Sequence, residues 1–156
     1  MNYKKKWLLF ILFVLLIIIL DQISKFLVLK FAPLNTPLEV LGNFFRITFV
    51  YNERGIFGTS FGPHWLYYLL PAGGIVFVFI LFLKSKSYFL SIVYGMIIGG
   101  GLGNLIDRLL YGKVIDFLDF GIGNLRWYFF NIADASVVIS ILLLLSEEIF
   151  FAKKHT

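Results

Sequence analysis

The 156-residue sequence is far more apolar than that of a soluble domain: 60% of its residues are hydrophobic, 15% are charged, and the mean hydropathy is +0.89. Soluble domains contain about 45–50% apolar and about 25% charged residues, so this composition predicts an integral membrane protein. The chain has no cysteine, which excludes disulfides, thiolate catalysis and zinc–cysteine sites. Its formal net charge is +5, which membrane orientation explains below, so we expect no nucleic-acid partner.

Four apolar segments predict four transmembrane helices, at about residues 7–29, 65–83, 88–106 and 130–151. Each segment is close to the roughly 20 residues that a helix needs to cross a bilayer. Two outer loops, at about residues 30–64 and 107–129, join them, and residues 1–156 form a single membrane domain. The first segment is longer than the apolar part of a signal peptide, about 7–15 residues, and no small-residue cleavage site follows it, so we expect it to be retained.

Clusters of lysine predict the orientation of these helices. One cluster, residues 4–6, precedes the first span; Lys84 and Lys86 lie between the second and third; Lys153 and Lys154 follow the fourth. With four spans, all three clusters fall on one side, and the positive-inside rule makes that side cytoplasmic. Both termini are therefore predicted to be cytoplasmic, and the two long loops extracytoplasmic.

The outer loops also contain strand signals. Residues 44–51, FFRITFVY, are rich in β-branched and aromatic side chains and predict a strand. Residues 114–117 predict a second, shorter strand, and the glycines of residues 121–124 predict a turn. The predicted fold class is therefore an all-α membrane protein with four transmembrane helices and a small extracytoplasmic β element that rests on the membrane surface. In the third span, Gly95, Gly99 and Gly103 at four-residue spacing predict close helix packing.

The aspartates are unevenly distributed along the predicted membrane normal. Acidic residues are costly in spans and usually functional, and five of them gather near the outer face: Asp21, Asp107, Asp116, Asp119 and Asp134. An ion pathway would place such groups through the membrane, so the one-sided pattern favours an active site at the surface. Asp21 and Lys25 are four residues apart on one helical face and should form an ion pair.

Two of these aspartates are candidates for catalysis. Asp116 lies between Ile115 and Phe117, where desolvation should raise its pKa. Asp134 begins the fourth span, which is also compatible with a purely structural role as a helix cap. Two carboxyl groups in a partly dry site can differ in protonation, so that one activates water as a general base and the other donates a proton as a general acid. The sequence offers no cluster of metal ligands, and we expect no metal and no cofactor.

Four sequence blocks resemble the motifs of lipoprotein signal peptidase, also called signal peptidase II, a bacterial aspartyl peptidase family. DQISK at 21–25 is similar to the family's D-x-x-[ST]-K, and GNLIDR at 103–108 to G-N-x-x-D-R. GKVIDF at 112–117 is similar to G-x-V-x-D-F, and FNIAD at 130–134 to F-N-x-A-D. The blocks occur in the family's order and span nearly the whole chain.

The resemblance implies roles for individual residues. It makes Asp116 and Asp134 the catalytic dyad. It implies that ten further residues bind substrate or support the site: Asp21, Lys25, Asn52, Gly55, Gly103, Asn104, Asp107, Arg108, Asn131 and Ala133. One block departs from the family's N-x-G-x-x-F, because the glycine of NERGIF at 52–57 falls one place later; the role of Gly55 is therefore open. Arg108 also has a simpler interpretation, as a side chain that extends to the membrane interface.

The resemblance also implies an activity and a location. The family's enzymes are aspartic endopeptidases that remove the signal peptide from diacylglyceryl-modified prolipoproteins, cutting before the lipidated cysteine. The expected partners are the lipid-modified prolipoprotein, membrane lipid and globomycin-type inhibitors, and we expect a monomer. The expected location is the bacterial cytoplasmic (inner) membrane, with the site and a β-cradle on the extracytoplasmic side. The alternative is a non-enzymatic membrane protein that binds lipid or peptide, which would tolerate replacement of both aspartates.

Overall fold

The computed structural model describes residues 1–53 and 62–152, with side chains described as far as residue 149. Four helices and four strands alternate in groups along the chain: α1 Tyr3–Phe31, β1 Pro37–Leu41, β2 Phe45–Asn52, α2 Leu66–Lys84, α3 Tyr88–Tyr111, β3 Val114–Ile122, β4 Leu125–Arg126 and α4 Ile132–Ala152. Within the described residues, α1, α2 and α3 are long and apolar enough to cross a membrane. It remains a prediction that α4 also spans the membrane and that both termini are cytoplasmic.

Helix α3 lies at the centre and packs against the other three helices. Its glycines allow this approach, as the spacing predicted: a Cβ at Gly95 would lie 2.7 Å from the Phe10 carbonyl oxygen of α1. A Cβ at Gly99 would lie 2.9 Å from the Val14 carbonyl oxygen. Close contact between α1 and α3 brings the polar residues near the ends of both helices within hydrogen-bonding distance.

The predicted end of α3 was wrong by about one turn. The sequence placed Asp107 just beyond the helix, whereas α3 continues to Tyr111 and ends at Gly112, which has φ 72° and donates its N–H to the Arg108 carbonyl. A glycine in the left-handed conformation is a common helix terminator. The apolar run ends before the helix does, so Asp107 and Arg108 belong to the last turns of α3 and not to the outer loop.

Lys6, one of the predicted orientation lysines, is buried in the structure. Its side chain is 3% exposed, and its Nζ donates to the carbonyl oxygens of Phe82 and Ser85, both at 2.7 Å. An ammonium group at the C-terminal end of a helix satisfies carbonyls that lack a partner and complements the helix dipole. The start of α1 is thereby fixed beside the connection between α2 and α3.

The strands form one antiparallel sheet in the order β1-β2-β3-β4. Strand β2 and the start of β3 were predicted; β1 and β4 were not, since β4 has two residues and every residue of β1 is exposed. The predicted turn is present, although β3 runs on to Ile122 and the turn centres on Gly123, with φ 59°. Val28, Phe49, Ile115 and Phe117 form an apolar cluster between the sheet and the end of α1, which fixes the position of β3 over the helices.

Candidate active site

The structure brings four of the five outer aspartates into one polar network and leaves the fifth outside it. Asp21, Asp107 and Asp116 are at most 2% exposed, and Asp134 is half-buried beside them. Asp119 instead pairs with other residues of the sheet: Arg46, Arg126 and Thr48 donate to its carboxylate. Burial opposes ionisation of Asp119, but these hydrogen bonds outweigh it and lower its pKa.

Asn131 joins the two candidate catalytic carboxylates. Its Nδ2 donates to Asp116 Oδ1 at 2.7 Å, and its Oδ1 accepts the backbone N–H of Asp134 at 2.9 Å. In return, the Asn131 backbone N–H donates to Asp134 Oδ2 at 3.3 Å. This reciprocal pair is a capping box at the start of α4. The N-cap residue is therefore Asn131. Asp134, the third residue of the helix, completes the box through its carboxylate, so its expected capping role is present at a different position.

Asn104, on α3, holds the other oxygen of Asp134. Its Nδ2 donates to Asp134 Oδ1 at 2.8 Å. Its Oδ1 accepts from Lys25 Nζ at 3.0 Å and from Asn131 Nδ2 at 2.9 Å. An ammonium group can only donate, so Lys25 determines which end of the Asn104 amide faces it. The amide nitrogen is consequently directed at Asp134.

Lys25 is the centre of a buried ionic cluster. Its side chain is 2% exposed, and its Nζ lies 2.7 Å from Asp21 Oδ2 and 2.8 Å from Asp107 Oδ2. The predicted pair of Asp21 with Lys25 is thus present, with a second carboxylate added. Gln22, which sequence reasoning did not select, bridges the same carboxylates: its Nε2 donates to Asp107 Oδ1 at 2.9 Å and to Asp21 Oδ2 at 3.2 Å. Its place inside the DQISK block was the one signal that could have identified it.

The carboxylates of this cluster also accept backbone N–H groups from the elements that carry the dyad. Asp21 Oδ1 accepts from Ala133 of α4, and Asp107 Oδ2 accepts from Ile115 of β3, both at 3.0 Å. Asp116 and Asp134 each follow immediately after one of these residues. The ionic cluster therefore fixes the backbone on which both candidate catalytic side chains stand.

Asp116 lies at the wall of an open cavity. The cavity has a volume of about 310 Å³ and is lined by Val50, Tyr51, Asn52, Glu53, Asp116, Tyr128 and Phe129. Asn52 Nδ2 donates to Asp116 Oδ2 at 3.0 Å, so both oxygens of this carboxyl group are hydrogen-bonded. Burial, followed by the neighbouring charge of Asp134, raises the pKa of Asp116 to about 7. The direction agrees with the desolvation that the sequence predicted.

Four further residues that the resemblance assigned to the site differ in how they relate to the polar network. A Cβ at Gly103 would lie 2.6 Å from Asp21 Oδ2, so a side chain at this position would displace the ionic cluster. Ala133 is fully buried. Arg108 is half-buried, and its Nη1 makes one long hydrogen bond of 3.4 Å to the Asn104 carbonyl. Gly55 lies outside the described residues.

Comparison with known proteins agrees with the four sequence blocks. The family model described as "Signal peptidase (SPase) II" matches residues 13–150. The chain belongs to the signal peptidase II family. Members named lipoprotein signal peptidase include one from Halothermothrix orenii, 39% identical over 133 residues that cover 85% of this chain and 89% of the relative. Another, from Syntrophus aciditrophicus, is 34% identical over 153 residues that cover 94% and 95%.

A solved structure shares the fold of this signal peptidase II family member. It is described as a bacterial membrane enzyme structure obtained by the in meso method, and it superposes with a TM-score of 0.85 at 27% identity. The match covers 94% of this chain and 91% of the solved one. Family membership and the apolar helices together make this protein a membrane peptidase.

Proposed function

We propose that this protein is an aspartic endopeptidase that removes the signal peptide from diacylglyceryl-modified prolipoproteins, cleaving before the lipidated cysteine. The relatives are named lipoprotein signal peptidases, which supports the substrate class. One observation supports the aspartic mechanism: Asn131 connects Asp134 to Asp116, and Asp116 lies at the wall of an open cavity. A hydrolase of this kind needs two carboxyl groups that reach the same water and the same peptide bond.

The surroundings of the two carboxyl groups support different protonation states at rest. Asp134 is in the first turn of α4, where the helix dipole favours a negative charge, and its oxygens accept from Asn104 and from the Asn131 backbone. Asp116 has a pKa raised to about 7 by burial and by the charge of Asp134. The resting dyad therefore carries one proton, which is on Asp116, although the two groups titrate as a pair.

Hydrolysis by the two carboxyl groups proceeds in two steps. Asp134 accepts a proton from the attacking water while the water oxygen bonds to the scissile carbonyl carbon, and Asp116 donates its proton to the carbonyl oxygen. When the tetrahedral intermediate breaks its C–N bond, Asp134 gives the proton from the water to the leaving amine, and Asp116 recovers its own. The Asn131 amide stays bonded to Asp116 throughout and strengthens that bond when Asp116 becomes a carboxylate.

We further propose that all four helices span the bacterial cytoplasmic membrane, with the dyad on the extracytoplasmic side and both termini in the cytoplasm. The contact of Lys6 with Ser85 supports this orientation, because it puts two of the lysine clusters at the same end of the helices. The dyad network involves the opposite ends of α1 and α3. The scissile bond of a lipid-anchored substrate lies near the membrane surface, at the height where these helices end. Globomycin-type inhibitors would occupy the cavity at Asp116.

The direct test is cleavage of a lipid-modified prolipoprotein by purified protein in detergent micelles. Asp116→Asn and Asp134→Asn should each reduce kcat/KM by about 10²- to 10⁴-fold, the usual contribution of a general acid or base, while the protein stays folded. Glu39→Gln is the matched control, since it removes a carboxylate from exposed β1 and should leave the rate unchanged.

Two outcomes would contradict the proposal. Cleavage at the wild-type rate by either aspartate variant would disprove the dyad. If the wild-type protein bound the prolipoprotein without cleaving it, and both variants bound it equally well, the alternative of a non-enzymatic lipid- or peptide-binding protein would be correct.

A further inference from the structure

Asn52 lies at the very end of a pair of strands. It is the last residue of β2, and it pairs with Val114, the first residue of β3. The terminal pair of a ladder opens more easily than the pairs within it. The Asn52 amide nevertheless donates to Asp116 Oδ2 at 3.0 Å. This hydrogen bond to the proposed dyad therefore depends on what holds the end of β2 in place.

Lys113 contacts both chain neighbours of Asn52. Its Nζ lies 3.8 Å from the centroid of the Tyr51 ring and 3.6 Å from Glu53 Oε1. The first distance is well within the roughly 6 Å over which the face of an aromatic ring attracts an ammonium group. Lys113 directly precedes β3, and Gly112 before it ends α3. The lysine therefore connects the end of β2 to the point where α3 passes into β3.

Lys113 and the Asn52 amide act on opposite faces of the sheet. Successive residues of a strand point to alternate faces. Asn52 lies opposite Val114, and its amide reaches Asp116 two residues further along β3 on the same face. Tyr51 belongs to the other face, where its ring contacts Lys113. The lysine can thus restrain the backbone at Asn52 without competing for its side chain.

We propose that Lys113 is a positioning residue: by holding both neighbours of Asn52, it keeps the Asn52 amide on Asp116. Neither contact is strong by itself, because Tyr51 and Glu53 are 36% and 71% exposed and water weakens such interactions. The free energy that opens the end of a strand is also small, so contacts of this size determine how often it opens. Lys113 occupies a variable position of the G-x-V-x-D-F block, so the family's motif assigns it no role.

The contacts of Lys113 have a consequence for the protonation of Asp116, which rests on the proposed function because Asp116 acts there as the acid. The hydrogen bond from Asn52 lowers the pKa of Asp116, so a loosened Asn52 raises that pKa. The positive charge of Lys113 would also lower it directly, with or without Asn52. The other charged groups, among the described residues, that face Asp116 or bind beside it are Asp134 of α4, Lys25 of α1, Arg108 and Asp107 of α3, and Glu53 of the cavity wall.

Amide hydrogen exchange of the full-length protein in detergent micelles tests whether Lys113 holds the end of β2. Lys113→Met should speed the exchange of the amides of residues 50–53 by about 3- to 30-fold, the combined effect of an exposed cation–π contact and a surface ion pair. Lys86→Met is the matched control, because it removes an exposed lysine between α2 and α3 and should leave this exchange unchanged. Unchanged exchange in Lys113→Met would overturn the proposal, whether or not the protein cleaves a prolipoprotein.

The pH dependence of prolipoprotein cleavage tests the link to Asp116. Lys113→Met should move the decline of kcat/KM at high pH to a higher pH, because the hydrogen bond from Asn52 is then made less often. In the Asn52→Ala background the same substitution should add a smaller shift, since only the charge of Lys113 is then lost. Equal shifts in the two backgrounds would show that Lys113 acts through its charge alone and would overturn the proposal.

Two further variants separate the contact from the charge. Tyr51→Leu removes the aromatic ring without a change of charge, so it should move the decline to higher pH in the wild-type background and not in Asn52→Ala. Lys113→Arg preserves both contacts and should keep the wild-type exchange and pH profile. A wild-type pH profile in Tyr51→Leu would contradict positioning through Asn52. If the wild-type protein did not cleave the prolipoprotein while Lys113→Met still exchanged faster, the proposed peptidase function would be wrong and the hold of Lys113 on β2 would stand.

Discussion

Replacement of Asn131 tests whether one side chain serves both the helix and the dyad. Asn131→Ser keeps an oxygen that can accept the Asp134 N–H as a cap, but it removes the amide donor to Asp116. Asn131→Ala removes both functions. The lost donor lies 2.7 Å from Asp116 Oδ1 and gains strength when Asp116 becomes a carboxylate in the proposed reaction. Hydrogen bonds contribute about 1.5–3 kcal/mol when one partner is charged and about 0.5–1.5 kcal/mol when both are neutral. The difference of about 1–1.5 kcal/mol predicts that kcat/KM falls by about 5- to 13-fold in both variants.

Stability should separate the two variants where activity does not. Loss of a cap costs about 1 kcal/mol, so we expect Asn131→Ala to unfold more easily than Asn131→Ser by about that amount. The assays are cleavage of a lipid-modified prolipoprotein and denaturant unfolding in the same detergent. If Asn131→Ser cleaved the substrate at the wild-type rate, the hydrogen bond from the Asn131 side chain to Asp116 would have no part in catalysis. If the loss of rate followed the loss of stability in both variants, Asn131 would act through the helix alone.

Three further predictions concern protonation, packing and the buried charges. Because Asp116 must hold its proton, activity should decline above about pH 7. The hydrogen bond from Asn52 lowers the pKa of Asp116. Asn52→Ala removes that bond, so the decline in the pH–rate profile should move to higher pH. Asp116 keeps its proton to about pH 7 in the folded protein, whereas the unfolded chain releases it near pH 3.9, about the model-peptide value. The free energy of unfolding should therefore decrease as the pH rises between these two values. The decrease should be smaller in Asp116→Asn. Gly100→Ala should lower the unfolding temperature, since its Cβ would lie 2.5 Å from a backbone carbonyl oxygen, whereas Gly101→Ala, 3.0 Å from a movable side chain, should be tolerated. Lys25→Met leaves two buried carboxylates without their cation, so the free energy of unfolding should fall by about 3–5 kcal/mol.

Each of these predictions has an outcome that would refute its physical basis. A pH–rate profile that Asn52→Ala does not shift would remove Asp116 from the rate-limiting protonation. Equal unfolding temperatures for Gly100→Ala and Gly101→Ala would mean that the helices move apart at little cost. Lys30→Met is the control for Lys25→Met, because Lys30 is exposed on the same helix. Similar losses of stability in both variants would show that the buried ion pairs of Lys25 do not contribute to the free energy of unfolding.

The helices could be predicted from the sequence because their cause is local. An apolar run of the right length must satisfy its own backbone hydrogen bonds in lipid, and only a helix does so within one segment. Strand β2 was also visible, through its β-branched and aromatic residues. Strands β1 and β4 could not be predicted, because these short, exposed strands form only by pairing with β2 and β3. The local amino-acid composition contains no signal for that pairing. The end of α3 was misjudged because polarity begins at Asp107 while the terminating residue is Gly112.

The sequence by itself determined the class of protein and, through its four blocks, the family, and it predicted a shared depth for the five outer aspartates. It could not distinguish Asp119 from the other four, because sequence gives a residue's height along a helix or strand but not which neighbour it faces. The tertiary structure decided that Asp119 binds two arginines of the sheet, that Asn131 and not Asp134 is the N-cap residue, and that Gln22 belongs to the buried cluster. The position of Asp119 depends on the pairing of β3 with β2 and β4. The place of Gln22 depends on hydrogen bonds between α1 and α3, which form only because the glycines of α3 allow the two helices to approach.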